Sequence, residues 1–70
     1  MAPKGERRIW IPDDGGFRSA PVWDRYTLPP GWRARGAAVI EEIEATTIVT
    51  PAFDVAVDGN LNLVLTRRQA

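Results

Sequence analysis

Seventy residues are enough for one small domain but leave no room for a second hydrophobic core. The sequence has no cysteine and no histidine, which excludes a disulfide framework and a zinc site built from those ligands. Nine basic side chains balance nine acidic ones, so the basic excess typical of a nucleic-acid binder is missing. A domain of this size buries only about 60% of the surface that its unfolded chain exposes. Burial against a partner chain is therefore the expected source of extra stability.

The sequence also bears on the compartment in which the protein works. No apolar run approaches the roughly 20 residues of a membrane span, and the polar stretch over residues 1–8 does not have the apolar core of a secretory signal. Because cysteine is absent as well, we expect a cytoplasmic protein with no membrane partner and no nucleic-acid partner.

The first third of the chain predicts a β-hairpin. Residues 7–11 are β-prone, with two isoleucines on one face and Trp10 on the other. Asp13–Gly16 is a turn signal, and residues 17–23 return as a second strand. Pro21 has no N–H to donate, so this strand should lie at an edge or begin its pairing late.

A short break follows the hairpin. Asp24 is suited to cap one helical turn over residues 25–28, because its side chain can accept hydrogen bonds from the following amides. Pro29 and Pro30 stop that turn, since the residue before a proline avoids the α region. Gly31 then allows the chain to reverse.

The middle of the chain predicts a buried strand and its partner. The continuous apolar run over residues 37–40 suits a strand that is buried on both faces. A helix over residues 37–45 is the alternative, because alanine and glutamate favour helices. We favour the strand, because residues 46–50 are all β-branched and need an antiparallel partner close by.

The last third predicts a second hairpin. Residues 53–57 and residues 61–66 each alternate with a period of two. Asp58–Asn60 between them is typical of a type I′ turn. The sequence as a whole therefore predicts an all-β fold of about six short strands with one helical turn, arranged as a small antiparallel β-barrel or a compact sandwich. We expect one domain over residues 1–70, with flexible polar ends at 1–6 and 67–70.

The sequence contains no pattern that points clearly to a catalytic site or a metal site. Nucleophilic catalysis by Ser19 would need a base, and no histidine is present. The acidic groups at residues 13–14, 41–44, 54 and 58 are expected on solvated faces and turns, because so small a domain offers few positions deep enough to tune a carboxyl pKa. We expect no catalytic residue, no metal ligand and no bound cofactor in this chain.

Three tryptophans are many for one small core, and two interpretations stay open. In the first, one or two lie in the core and the rest cover the ends of the fold. In the second, at least one lies at a partner interface, where aromatic residues are enriched. Trp23 is the better core candidate because it belongs to a strand with a period of two. Trp32 follows Pro30 and Gly31 and is expected at the surface, so Trp32 and Trp10 are the candidate interface tryptophans.

A series of short motifs then resembles a known family. In chain order these motifs are Ala20–Arg25 (APVWDR), Leu28–Gly31 (LPPG), Gly36–Glu42 (GAAVIEE), Ala45–Val49 (ATTIV), Val57–Asn60 (VDGN) and Leu63–Leu65 (LVL). Their order and spacing resemble the C-terminal end of the hydantoinase A/oxoprolinase family, which includes N-methylhydantoinase A, the ATP-dependent 5-oxoprolinases and subunits of acetone and acetophenone carboxylases. The resemblance covers residues 7–65. Ala37 stands where the family has a proline, and Ala52 departs from its proline–glycine pair.

The resemblance implies an accessory role. In such enzymes a large chain carries an ATP-binding core that phosphorylates an amide or enol oxygen, and the C-terminal segment is a β domain packed against it. ATP and a divalent metal are then expected on the large catalytic chain. The present chain would be a small subunit or a C-terminal domain, not catalytic alone, that docks on this partner.

Glu41 and Glu42 have two possible roles in that picture. They follow a buried run and could meet the partner at one end of the fold, or they could be ordinary strand-end charges. A different class of function, an independent small β-barrel that binds a protein or a peptide, also stays open.

Overall fold

The computed structural model describes residues 2–68, which form an all-β fold. Its strands are β1 (Gly5–Ile11), β2 (Gly16–Asp24), β3 (Arg33–Arg35), β4 (Ala38–Glu41), β5 (Thr46–Val49), β6 (Phe53–Val57) and β7 (Leu63–Arg67). Short 3₁₀ turns span Pro12–Asp14 and Arg25–Thr27. The predicted fold class is confirmed, as is the predicted helical turn after Asp24. No helix within residues 2–68 has the length and apolarity needed to cross a membrane.

The strands form two sheets. One has the order β1-β2-β4-β5 and the other the order β3-β6-β7. Neighbouring strands are antiparallel except for β2 and β4, which are parallel. The sheets are not closed into a barrel, so of the two predicted architectures the packed pair of sheets is the one observed.

The strand count and one pairing differ from the prediction. β3 was not expected, because it has only three residues and two of them are exposed arginines rather than part of an apolar alternation. The parallel pairing of β2 with β4 was not expected either. It arises because the connection between these strands, residues 25–37, crosses to the other sheet and contributes β3 there.

The β1–β2 hairpin has a regular register. It runs from Gly5 opposite Val22 to Ile11 opposite Gly16. Gly15 closes the loop with φ of 65°, a conformation that glycine adopts without a steric penalty. Pro21 lies just before Val22, where pairing with β4 begins. β2 lies between β1 and β4 and pairs with β1 from Gly16 onward, so the predicted edge position is wrong, and the strand pairs late only on its β4 side.

Strand β4 is the centre of the fold. Ala38, Val39 and Ile40 are all fully buried, so this strand is covered on both faces as predicted, and the helical alternative is wrong. β5 supplies the expected antiparallel partner, with Val39 opposite Ile48 and Ile40 opposite Thr47.

Two apolar clusters lie on opposite faces of the four-stranded sheet. The larger lies between the sheets and combines side chains from both: Leu28, Ala38, Ile40, Val49, Val55 and Val57. The smaller is formed mainly by the hairpin: Ile9, Ile11, Ala20, Val22 and Val39. Alternation along β4 explains the division, since Val39 points to the face opposite that of its neighbours.

Gly36 is at a close approach between the two halves of the chain. Its N–H donates to the carbonyl oxygen of Phe53 at 2.9 Å. A Cβ at this position would lie 1.9 Å from the carbonyl oxygen of Thr50, which is far inside van der Waals contact. The chain can turn from β3 into β4 against this backbone only if the side chain is absent.

The loop between β6 and β7 is longer than the predicted type I′ turn, and this prediction is wrong. Leu61, not Gly59, takes positive φ, at 63°. The carboxylate of Asp58 accepts from the backbone N–H groups of Asn60 and Asn62 at 2.9 and 2.8 Å. This side chain organises a wider loop, so β7 begins at Leu63, two residues later than expected.

The predicted flexible ends fall partly in regular structure. β1 already includes Gly5 and Glu6, and β7 ends at Arg67. Met1, Gln69 and Ala70 lie outside the described residues.

Candidate functional site

An aromatic pair on the hairpin is the most prominent candidate site. Trp10 of β1 and Phe17 of β2 lie opposite each other in the register. Their rings meet edge to face with centroids 5.3 Å apart, and the side chains are 54% and 61% exposed. Alternation places the buried Ile9 and Ile11 on the other face of the hairpin. One face of the hairpin therefore belongs to the core and the other presents aromatic rings to solvent.

A cation completes this surface. The guanidinium carbon of Arg8 lies 5.2 Å from the centroid of the Phe17 ring, within the range of a cation–π contact. We call Arg8, Trp10 and Phe17 the aromatic surface. It combines large apolar area with one charge, the residue types that dominate binding energy at protein interfaces.

The sequence pointed to Trp10 but missed its partner. A four-residue loop at Asp13–Gly16 would have set Trp10 opposite Ser19. The observed loop also has four residues but begins one residue earlier, at Pro12, because Pro12–Asp14 forms a 3₁₀ turn and Ile11 pairs directly with Gly16. This change in register brings Phe17 to Trp10.

Trp32 lies elsewhere in the fold and in a different environment. It is half-buried, and its ring meets that of Trp23 edge to face with centroids 5.1 Å apart. Both rings pack against the apolar cluster between the sheets. Trp32 therefore contributes to the packing of the core as well as to the surface, and the structure does not bring it together with Trp10 in one patch.

Glu41 is held by cations of its own chain. Its Oε1 lies 2.7 Å from Lys4 Nζ, and its Oε2 accepts from Arg7 at 3.2 Å. The hydrogen bond from Lys4, together with the nearby charge of Arg7, lowers the pKa of the Glu41 carboxyl, and the same hydrogen bond raises the pKa of Lys4. These contacts tie the start of the chain to the end of β4.

Glu42 also has an internal partner. Its Oε1 lies 3.4 Å from Arg25 Nε, an ion pair whose angle is not that of a hydrogen bond. Another nitrogen of Arg25 donates to the carbonyl oxygen of Leu61. Both glutamates are thus engaged within the chain, which favours the interpretation of strand-end charges over that of partner contacts.

A second exposed apolar group surrounds Arg25. Tyr26, Ile43 and Leu61 are 65%, 86% and 49% exposed, and the Tyr26 hydroxyl accepts from the Ile43 N–H at 3.3 Å. We call Arg25, Tyr26, Ile43 and Leu61 the Arg25 surface. No sequence pattern predicted this surface, because its members come from three connections that meet only in the folded chain.

The acidic residues do not form a metal centre in the part of the chain that is described. Residues 2–68 contain no group of three or more acidic, histidine or cysteine side chains placed to hold a metal ion. Asp58 accepts backbone hydrogen bonds from its own loop, and these, that from Asn62 first, lower the pKa of its carboxyl. Its role there is to shape the loop.

The fold and these surfaces define a small two-sheet β domain with exposed aromatic side chains. The chain belongs to the hydantoinase/oxoprolinase C-terminal domain family, whose family model matches residues 1–67. The resemblance seen in the sequence is thereby confirmed. A search of curated proteins and a search of solved structures each found no match. Membership in a C-terminal domain family implies association with a larger catalytic region.

Proposed function

We propose that this chain is an accessory, non-catalytic β domain or small subunit that docks on the large catalytic chain of an ATP-dependent enzyme. The enzyme would be of the hydantoinase, oxoprolinase or acetone carboxylase type, and hence a hydrolase or a carboxylase. Family membership supports the type of partner. As the family resemblance implies, the proposal assigns ATP and the divalent metal to the catalytic chain.

The aromatic surface is the observation that carries the docking role. A Trp and a Phe more than half exposed, side by side on one face of a hairpin, cost free energy in water that burial in an interface recovers. Aromatic side chains bury roughly 150–250 Å² each and dominate interface energetics. Arg8 over the Phe17 ring adds a charge that can pair across the interface.

The cytoplasm is the proposed compartment. A sequence with no cysteine gains nothing from an oxidising environment. A partner that consumes ATP fits the same location.

Co-purification tests the proposal. The chain is tagged and expressed in its native cell, and the proteins recovered with it are identified by mass spectrometry. We expect a stoichiometric large chain of the hydantoinase, oxoprolinase or carboxylase type. The variant Trp10→Ser/Phe17→Ser should lose that chain while keeping its own fold, because the opposite face of the hairpin carries the core contacts.

A matched control removes apolar area from the other exposed group. The variant Ile43→Ser/Leu61→Ser should retain the large chain. If the hairpin variant still recovered the large chain and the control variant did not, the docking site would be the Arg25 surface and not the aromatic surface. Recovery of a soluble chain with no such companion would contradict the accessory role and leave an independent binding module.

A further inference from the structure

The outer face of the three-stranded sheet carries a second, chemically different surface. Two rows of side chains cross it. One row is Arg33, Ala56 and Val64, and the other is Arg35, Asp54 and Thr66. The alternate residues of these strands, Val55 among them, point to the core between the sheets.

The charge on this face is not balanced. Asp54 Oδ1 lies 3.6 Å from Arg68 Nε, so the one carboxylate of the two rows already has a partner. Arg33 and Arg35 are exposed, and no carboxylate lies within 4.0 Å of either guanidinium among residues 2–68. The face therefore presents two adjacent positive charges in a chain whose formal net charge is zero.

The shape of the face is that of an open trough. A depression of about 540 Å³ lies over the sheet, lined by both arginines and by Asp54, Ala56, Val64 and Thr66. Ala56 and Val64 give the floor a small apolar area, and Thr66 adds a hydroxyl that can donate or accept. The depression is too open to enclose a small molecule, but an extended chain can lie along it.

We propose that this trough binds an extended acidic protein segment with carboxylates two residues apart. Arg33 and Arg35 point to the same side of β3 and are separated by roughly 7 Å along the strand. In an extended peptide, side chains at i and i+2 have that same spacing and direction. Each guanidinium can take one carboxylate with two parallel N–H donors, a geometry that lysine does not offer. The proposal does not depend on which protein supplies the segment or on the docking role of the hairpin.

Titration of the labelled 70-residue chain, followed by amide chemical shifts, tests this assignment. The probe is the blocked hexapeptide Glu-Thr-Glu-Thr-Glu-Thr, and the matched control peptide has glutamine in place of each glutamate. We expect saturable shift changes at residues 33–35, 54–56 and 64–66 with the acidic peptide only. Binding should weaken as salt rises, because the contacts are charge pairs at an exposed surface.

Variants then identify the groups responsible. Arg33→Gln/Arg35→Gln should weaken binding by about tenfold or more, since hydrogen bonds to charged groups are each worth roughly a factor of ten. Arg33→Lys/Arg35→Lys should recover part of that loss, because the charge is kept but the paired donors are not. The control Arg18→Gln/Arg67→Gln removes the same charge outside the trough and should change binding by less than about threefold.

Three results would overturn the assignment. Equal binding of the glutamine peptide would show that the trough does not recognise the carboxylate charges of the peptide. Equal weakening by the control variant would show that only net charge matters. Tighter binding of a poly-dT oligonucleotide than of the acidic peptide would identify a phosphate-binding face instead. Because each variant's amide spectrum reports its own fold, loss of binding by an unfolded chain is recognised directly.

Discussion

Trp23 and Trp32 meet edge to face between the two sheets, with ring centroids 5.1 Å apart and an interplanar angle of 65°. Trp23 belongs to β2 of the four-stranded sheet, and Trp32 comes directly before β3 of the three-stranded one. Both rings pack on the cluster that the sheets share. The contact therefore links the two sheets at the point where the chain crosses from one to the other.

Trp32 and Trp10 should differ sharply in their contribution to stability. Trp32→Ala is expected to lower the free energy of unfolding by about 2–4 kcal/mol, toward the lower end for a core aromatic because the ring is only half-buried. Trp10→Ala should cost no more than about 1.5 kcal/mol, the worth of an exposed aromatic pair. Urea unfolding followed by circular dichroism measures both. Equal losses would mean that the hairpin ring is part of the core.

Because β4 is buried on both faces, truncating one of its side chains should destabilise the chain more than truncating an exposed side chain on β5. Ile40→Ala should destabilise the chain by about 2–5 kcal/mol, because the fully buried side chain leaves a cavity between the sheets. Ile48→Ala on the neighbouring strand should cost less than about 1 kcal/mol, since that side chain is 50% exposed. Urea unfolding followed by circular dichroism measures both losses. A large loss at Ile48 would indicate that the outer face of the sheet is covered in solution, for instance by self-association.

Gly36 should tolerate no side chain. In Gly36→Ala the new methyl group would collide with the backbone of Thr50, and backbone cannot move aside as a side-chain tip can. We expect a loss of about 3 kcal/mol or more, a large share of the stability of so small a domain. Gly59→Ala is the control, because nothing lies within 4 Å of a Cβ built there. Thermal unfolding of both variants should leave Gly59→Ala close to the parent chain.

The sequence specified most strands but not their register or their arrangement in sheets. Apolar runs and period-two alternation located β1, β2, β4, β5 and β6, because these patterns record which faces are buried. The pairing of Trp10 with Phe17 depended on a four-residue loop that begins at Pro12 and not at Asp13, and local patterns do not encode such a choice. β3 was missed because its two arginines serve an exposed face, and no apolar period marks so short a strand.

The candidate surfaces were predictable to different degrees. Trp10 was predicted as a candidate interface residue because three tryptophans are more than one small core is expected to hold. The Arg25 surface was not, since Tyr26, Ile43 and Leu61 come together only through the connections of the folded chain. Glu41 and Glu42 were placed correctly at the end of a buried strand, but their cationic partners are remote in sequence.

Asp58 should make stability depend on pH. Hydrogen bonds from its own loop lower the folded-state pKa of the carboxyl below its ordinary value of 3.8. The stabilisation is therefore complete above that value and is lost as the pH falls through the lower folded pKa. We expect the urea midpoint of the parent chain to fall on acidification more steeply than that of Asp58→Asn.

The control for this effect is Asp13→Asn, which removes the same charge from an exposed turn. Its midpoint should follow the parent chain across the acid range. If Asp58→Asn did so as well, the carboxylate would not hold the loop between β6 and β7 in solution.

Hydroxyl-radical footprinting of the chain, alone and bound to the large chain recovered by co-purification, tests the central claim most directly. Oxidation reports the exposure of individual aromatic side chains, and Trp10 and Phe17 are open to solvent in the free domain. The docking account predicts that both become strongly protected in the complex, while Tyr26 and Ile43 on the Arg25 surface keep their reactivity. Unchanged oxidation of Trp10 and Phe17 in a stoichiometric complex would contradict it.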